Sequence, residues 1–281
     1  MIKPEEFVHL HVHSHYSLLE ALPSPKALVA RAKEHGMNAI ALTDNGSMYG
    51  VVQFYKACRD AEIKPIIGLD IYVAQNRMTD KRGRLDDRPY RLTIIAKNDA
   101  GYKNLLKISS SGYIDGFYYK PRVDKEFLKE HGEGLIGFSG SVNGEIPRAL
   151  NLEDFEKAKK LLTQHQDIFG VENFYLELIH HPDWGTQVDT NTALKKFAKE
   201  TGAKMVATDN IFYLDPNDRE AYEAQMCIQR GNTLESFRQT KAQDVDLSFG
   251  DPVELIEYFK DVPEALENTR KIADSVNFEM D

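Results

Sequence analysis

The stretch HLHVHSH, residues 9–15, holds four of the chain's nine histidines. In an extended chain, side chains two residues apart point to the same side. Read as a strand, the stretch turns His9, His11, His13 and His15 to one face. Imidazole suits zinc, iron and manganese, and two neighbouring rings can reach one ion or a pair of ions. An H-x-H pair alone is more often a set of ordinary polar strand residues, so a working site needs further ligands from elsewhere in the chain.

The surrounding hydrophobic pattern says where those ligands would come from. Strand-like segments at residues 7–14, 38–44, 64–75, 91–98, 134–140, 173–181 and 203–210 alternate with helix-like segments at 24–36, 49–62, 100–114, 152–170 and 190–202. Beyond residue 218 the chain turns helical, over 218–231 and 252–276. About seven apolar strands, most followed by an amphipathic helix, predict an α/β fold with parallel strands under covering helices. No G-x-G-x-x-G follows the first strand and no phosphate-binding lysine loop occurs, so a nucleotide-binding open sheet has no support. The expectation is a barrel related to the (β/α)8 type with fewer strands, its chemistry at the C-terminal strand ends.

Those ends supply few ligands. They offer Asp44 and Asn45, Asp70, Arg91, Ser139 and Ser141, then Asp209, Asn210 and Phe212. Acids are present, but soft and imidazole ligands are not, and Arg91 is a fixed cation that repels a metal. GFSGS, residues 137–141, misses the glycine that a nucleophile elbow needs. Asp44 reads as a helix cap or loop anchor at least as readily as a catalytic acid. The adjacent pair His180–His181 would face opposite ways on a strand and reads as a surface loop. Tyr118 and Tyr119 could stack bases, but packing under a loop is the favoured reading.

Composition limits the partners. The 281 residues carry 35 Lys+Arg against 44 Asp+Glu, a net charge of −9, whereas a surface that grips duplex DNA needs clustered basic charge. The best basic cluster, residues 77–88, contains three aspartates and reads as a solvated loop between strands. No apolar run approaches a membrane span and the N-terminus lacks a signal-peptide core, so a cytoplasmic location without membrane contact is expected. Cys58 and Cys227 read as free thiols. No linker divides the chain, and residues 1–281 are expected to form one domain.

The blocks FVHLHVHSHYSLLEA, MNAIALTDNGSMYGVVQFYKACRDAEIKPIIGLDIYVA, LELIHH and VATDNIFYL resemble the N-terminal polymerase-and-histidinol-phosphatase (PHP) domain of bacterial DNA polymerase III alpha subunits. The resemblance runs over almost the whole chain and implies a distorted (β/α)7 barrel with a helical C-terminal extension, an N-terminal piece of a much longer polymerase. Metal-bearing members hold a trinuclear site. By resemblance, His11 and His13 match two of its ligands, Glu20 stands for an aspartate and Asp70 for a glutamate. Asn45 and Arg91 replace histidines, Ser141 replaces a cysteine or histidine, Asn210 an aspartate and Phe212 the last histidine. The resemblance thus implies a vestigial metal site at His11, His13, Glu20 and Asp70, with no cofactor expected beyond a weakly held single zinc or manganese. The implied role is non-catalytic: bracing the remainder of the alpha subunit and docking the proofreading 3′–5′ exonuclease subunit during replication, with little direct DNA binding. An active metal-dependent phosphoesterase or exonuclease is the competing expectation.

Overall fold

The computed structural model describes residues 2–239 and 245–280. After an extended segment carrying the histidines come α1 (Pro25–Glu34), β1 (Ala39–Leu42), α2 (Val51–Ala61), β2 (Lys64–Val73), β3 (Tyr90–Ala96), α3 (Asp99–Ile114) and the two-residue β4 (Arg122–Val123). Then follow α4 (Lys125–Glu130), β5 (Leu135–Phe138), α5 (Glu145–Asn151), α6 (Phe155–Phe169), β6 (Phe174–Ile179), α7 (Gly185–Thr201) and β7 (Lys204–Thr208). Helices α8 (Arg219–Arg230), α9 (Leu234–Gln239), α10 (Pro252–Tyr258) and α11 (Pro263–Ser275) complete the series. Local signals start several helices: Ser24 accepts a bond from the Ala27 amide with Pro25 opening α1, and Asn98 caps α3 through the Gly101 amide. Among the described residues, no helix is long and apolar enough to cross a membrane.

The strands lie in the order β1-β2-β3-β5-β6-β7, with β4 beside β2. Pairing is parallel except around β3, which runs antiparallel to both β2 and β5. That corrects the all-parallel expectation. No α-helix lies in residues 74–89, so the chain folds back rather than crossing over.

The histidine segment departs from a regular strand too. Only Val12 forms a ladder bridge, to Ile211. The backbone still closes the barrel. On one side His9 and Val12 carbonyls accept from the Ala41 and Thr43 amides at 2.9 and 2.8 Å. On the other, the His13 amide donates to the Ile211 carbonyl at 3.0 Å and the Ile211 amide to the His11 carbonyl at 3.1 Å. The result is a distorted α/β barrel seamed by an irregular segment. Freed from strict alternation, the four histidines do not share a face: the His9 ring packs on Phe7 and Phe249, and His15 is exposed beside Tyr16.

Strand alternation sorts the core. Ala39, Ala41, Ile66, Ile95, Ile136, Phe138, Tyr175 and Val206 belong to one apolar cluster, which Ile272 and Ala273 of α11 and the following Val276 join. Alternate residues, such as Ile40, Leu42, Ile67, Ile94 and Leu176, belong to the larger cluster shared with the covering helices. Two to four residues from the first set along their strands, the same parity brings Asp70, Thr93, Glu177 and Thr208, all buried. The barrel interior is therefore apolar in one layer and polar in the next.

The loop at 77–88 is better held than a solvated loop would be. Arg122, fully buried, donates to the carbonyls of Met78, Asp80, Asp86 and Gly116 at 2.8–3.1 Å. The predicted helix at 252–276 breaks into α10 and α11, with Pro263 opening the second.

Candidate functional site

The polar layer of the barrel centres on His11. Its Nδ1 lies 2.7 Å from Glu177 Oε1 and its Nε2 lies 3.2 Å from Asp70 Oδ2. With a carboxylate against each nitrogen, both carry protons and the ring is an imidazolium. Burial opposes that charge, but Glu177 and Asp70 outweigh it and raise the pKa to about 9. Glu177 also accepts from the Thr208 hydroxyl at 2.8 Å.

Arg91 supplies the second cation. It bonds Asp70 Oδ2 and Asn45 Oδ1, and its guanidinium lies 4.2 Å from the centre of the Tyr72 ring. Burial alone would raise the Asp70 pKa, yet Arg91 and His11 hold it well below the usual carboxylate range. The reversal of β3 delivers this cation. Antiparallel register sets Arg91 opposite Tyr72 and Thr93 opposite Asp70, so the start of β3 meets the end of β2.

His13 stays neutral, because burial lowers its pKa. Its Nδ1 donates to the Ile211 carbonyl at 3.0 Å, which leaves Nε2 as a lone pair 3.6 Å from Asp70 Oδ2. Phe212 stacks on this ring at 4.2 Å and 11°. Nearer the surface, Asn45 donates to Glu20 at 2.5 Å, and Lys120 and Gln229 bond the other Glu20 oxygen at 2.5 and 2.7 Å. Burial would raise the Glu20 pKa, but Lys120, Arg91 and Gln229 lower it. The network thus sets Arg91, Lys120 and the His11 imidazolium against Asp70, Glu177 and Glu20: three cations on three anions.

His11, His13, Glu20, Asn45, Asp70 and Arg91 are therefore brought into one connected cluster, with Phe212 on its wall. Asn210, in left-handed backbone at φ 48°, keeps a buried, unpartnered Oδ1. The Ser141 hydroxyl instead accepts from the Asn143 amide at 3.4 Å in its own turn. Sequence reasoning passed over Glu177, although a single acid inside the otherwise apolar strand FYLELI was a legible signal. It also passed over Lys120, Tyr72 and Gln229, which are distant in sequence. Asp44 is a loop anchor: it accepts from the Ser14 amide and hydroxyl at 2.7 and 2.8 Å and from Ser17 at 2.6 Å.

Among the described residues, His11, His13 and Asp70 are the one group of three donors close enough to hold a metal ion, with ligand atoms within 4.8 Å of one another. Asp70 Oδ1 and His13 Nε2 have no hydrogen-bond partner, so a buried acceptor pair remains for an ion or a water. His11 Nε2 could join them only by losing its proton, and Arg91 already occupies the other Asp70 oxygen.

A shallow opening of about 170 Å³ leads toward this network past Tyr16, Glu20, Tyr72 and Lys120. Exposed Leu18, Tyr49, Tyr113, Phe117 and Tyr119 ring it, with Ile114 beyond at 80% exposure. Tyr119, at 71%, is not packed under a loop as the sequence suggested. His181 is the reverse case. Expected on a surface loop, it is 2% exposed.

A PHP domain family model matches residues 9–181. The chain is 37% identical over 292 residues to DNA polymerase III subunit alpha of Helicobacter pylori, covering 100% of this chain and 24% of that protein. It is 39% identical over 269 residues to the Borreliella burgdorferi subunit, covering 95% of this chain and 23% of that one. The chain spans about a quarter of the length of these relatives. Among solved structures it is similar to an amidohydrolase from Chromobacterium violaceum, with a TM-score of 0.48 and 14% identity over 78% of this chain and 96% of that one. The match across the histidine segment, β1 to β6 and the site they build makes this chain a member of the PHP domain family.

Proposed function

We propose that this chain is the PHP module of a replicative DNA polymerase alpha subunit, one in which the hydrolytic metal site has become an internal ion-pair network. The observation that carries this reading is Arg91 on Asp70. A guanidinium stands beside the one acid shared by both histidines, and the cluster is already neutral. A multi-metal hydrolase needs excess negative charge and enough ligands to hold its ions and activate a water. Here Asn45, Arg91, Ser141, Asn210 and Phe212 supply none of the imidazole, thiolate or carboxylate donors. His11, Glu20 and Asp70 act structurally instead, tying the seam segment to β2 and β6 and the mouth to Lys120. We read residues 1–281 as one such unit in the cytoplasm, attached to the remainder of the polymerase.

A module without chemistry of its own acts by holding others. The exposed apolar side chains at the mouth support this, since such patches mark surfaces that meet other macromolecules. The proposed partner is the proofreading exonuclease subunit. Calorimetry of this chain against that subunit, with and without its C-terminal tail, should give binding that weakens with salt and requires the tail. No heat at tens of micromolar would leave only the bracing role.

The competing reading, a metal-dependent phosphoesterase, rests on the His11–His13–Asp70 group. One experiment separates the two. Protein purified without chelator should contain less than stoichiometric zinc or manganese and release no nucleotides from a primer end when manganese is added. The variant Asn45→His/Asp70→Glu/Arg91→His/Ser141→Cys/Asn210→Asp/Phe212→His should take up either metal stoichiometrically. Nuclease activity of the unaltered chain that His13→Ala abolishes would establish the phosphoesterase.

A further inference from the structure

A second polar cavity, of about 180 Å³, opens where β6 and β7 end, on the side facing α10. Its walls carry His180 and His181 after β6, Asp209 after β7, and Asp183, Asp246 and Glu254. No lysine or arginine lines it among the described residues. This cavity is separate from the Arg91 network and shares no side chain with it.

Two of these groups are built into the fold. Asp209 is 4% exposed: its Oδ2 accepts from the Gly250 amide at 2.7 Å, and its Oδ1 lies 3.5 Å from His180 Nδ1. His181 is 2% exposed, and neither of its ring nitrogens has a hydrogen-bond partner. An unpaired buried polar atom has lost its hydration without gaining a bond, so a ring left this way points to a missing partner. Asp246 is fixed as well, with its Oδ1 accepting from the Tyr213 hydroxyl at 3.1 Å and the Ser248 amide at 2.9 Å.

We propose that this cavity binds a compact organic cation, a protonated primary amine or a guanidinium group. The lining is acceptor-rich and negatively charged, so its complement is a cation with N–H donors. A bare metal ion does not fit, because ions need donors that converge. The one three-donor group close enough among the described residues is His11, His13 and Asp70, not this set. A guanidinium or ammonium carries several donors pointing in different directions and satisfies acceptors that are spread out. Burial keeps His181 neutral, with its pKa lowered to about 3, so one of its nitrogens is free to accept such a bond. The flanking Asp183, Asp246 and Glu254 are exposed, and their negative charge adds to the attraction that draws the cation in and holds it there.

The chain's single tryptophan, Trp184, provides the readout, since its ring lies 6.2 Å from that of His181. Arginine amide and putrescine, each titrated into the whole chain at constant ionic strength, should change Trp184 fluorescence saturably with millimolar midpoints. Arginine amide binding at least about tenfold more tightly would mark a protein side chain as the natural occupant; the reverse order would mark a free polyamine. Asp246→Asn/Glu254→Gln, which keeps the backbone-bonding oxygens and changes exposed groups, should raise both midpoints about tenfold with unchanged circular dichroism. The proposal is overturned by any of three results: no saturable response, an equal response to tetramethylammonium, which has no N–H, or midpoints that the double variant leaves in place.

Discussion

Arg91→Leu should cost about 3–5 kcal/mol of stability, the range expected when one partner of a buried ion pair is removed and the other charge stays behind. Asp70 would be left buried, with His11 the only cation bonded to it and with Oδ1 already unpaired. Asn45 would lose the donor on its Oδ1, and Tyr72 the cation over its ring. The loss should shrink markedly in Arg91→Leu/Asp70→Leu, since the second change removes the stranded anion, and His11 keeps Glu177 as its counter-charge. Urea unfolding of the two single variants and the double variant measures the coupling. Strictly additive losses would mean that Arg91 and Asp70 do not stabilise each other, and that Arg91 is no surrogate for a metal ion. Arg91→Lys should recover only part of the stability: Nη2 alone makes the bonds to Asp70 and Asn45, but an ammonium on a shorter stem loses that reach and the planar stacking over Tyr72.

The second large effect is a loss of stability in mild alkali. Glu177 and Asp70 raise the His11 pKa to about 9 in the folded chain, against 6.5 for a free imidazole side chain. A raised pKa means that the folded state binds the proton more tightly, so the stabilisation is fully present below pH 6.5. It falls away as pH rises through about 9. A difference of this size corresponds to about 3 kcal/mol. Unfolding free energy should therefore drop by that order between pH 6.5 and pH 9.5. In His11→Gln the slope over this window should flatten, while the variant is less stable throughout at neutral pH. A wild-type stability that does not change across the window would show that the ring between Glu177 and Asp70 is neutral, and would reopen Nε2 as a metal ligand.

These predictions depend on features of different origin. The alternation of apolar strands and amphipathic helices fixed an α/β barrel from the sequence, because period-two and period-3.6 patterns are local. The list of polar residues at strand ends was local information too, and Asp70, Asn45, Arg91 and His13 were legible there as candidates. So was the shortage of imidazole and thiolate side chains among them.

What lay beyond the sequence was direction and partnership. The same residues of β3 could have run either way. Only the return of the chain without a crossover helix puts Arg91, rather than Ala96, beside Asp70. His9 and His15 share the spacing of His11 and His13 but not their face, because the seam segment is held by bonds to two different neighbours and abandons strict alternation. His181 looked like loop and is buried, because the segment around Asp246 and Gly250, more than sixty residues on, helps form the wall that encloses it. Glu177 is the decisive case. Its isolation in FYLELI marked it as a buried acid needing a cation, but nothing local said that the cation would be His11, 166 residues away. Sequence spacing orders side chains along one element; which charges meet across a barrel is decided by strand order and register, which depend on the whole chain.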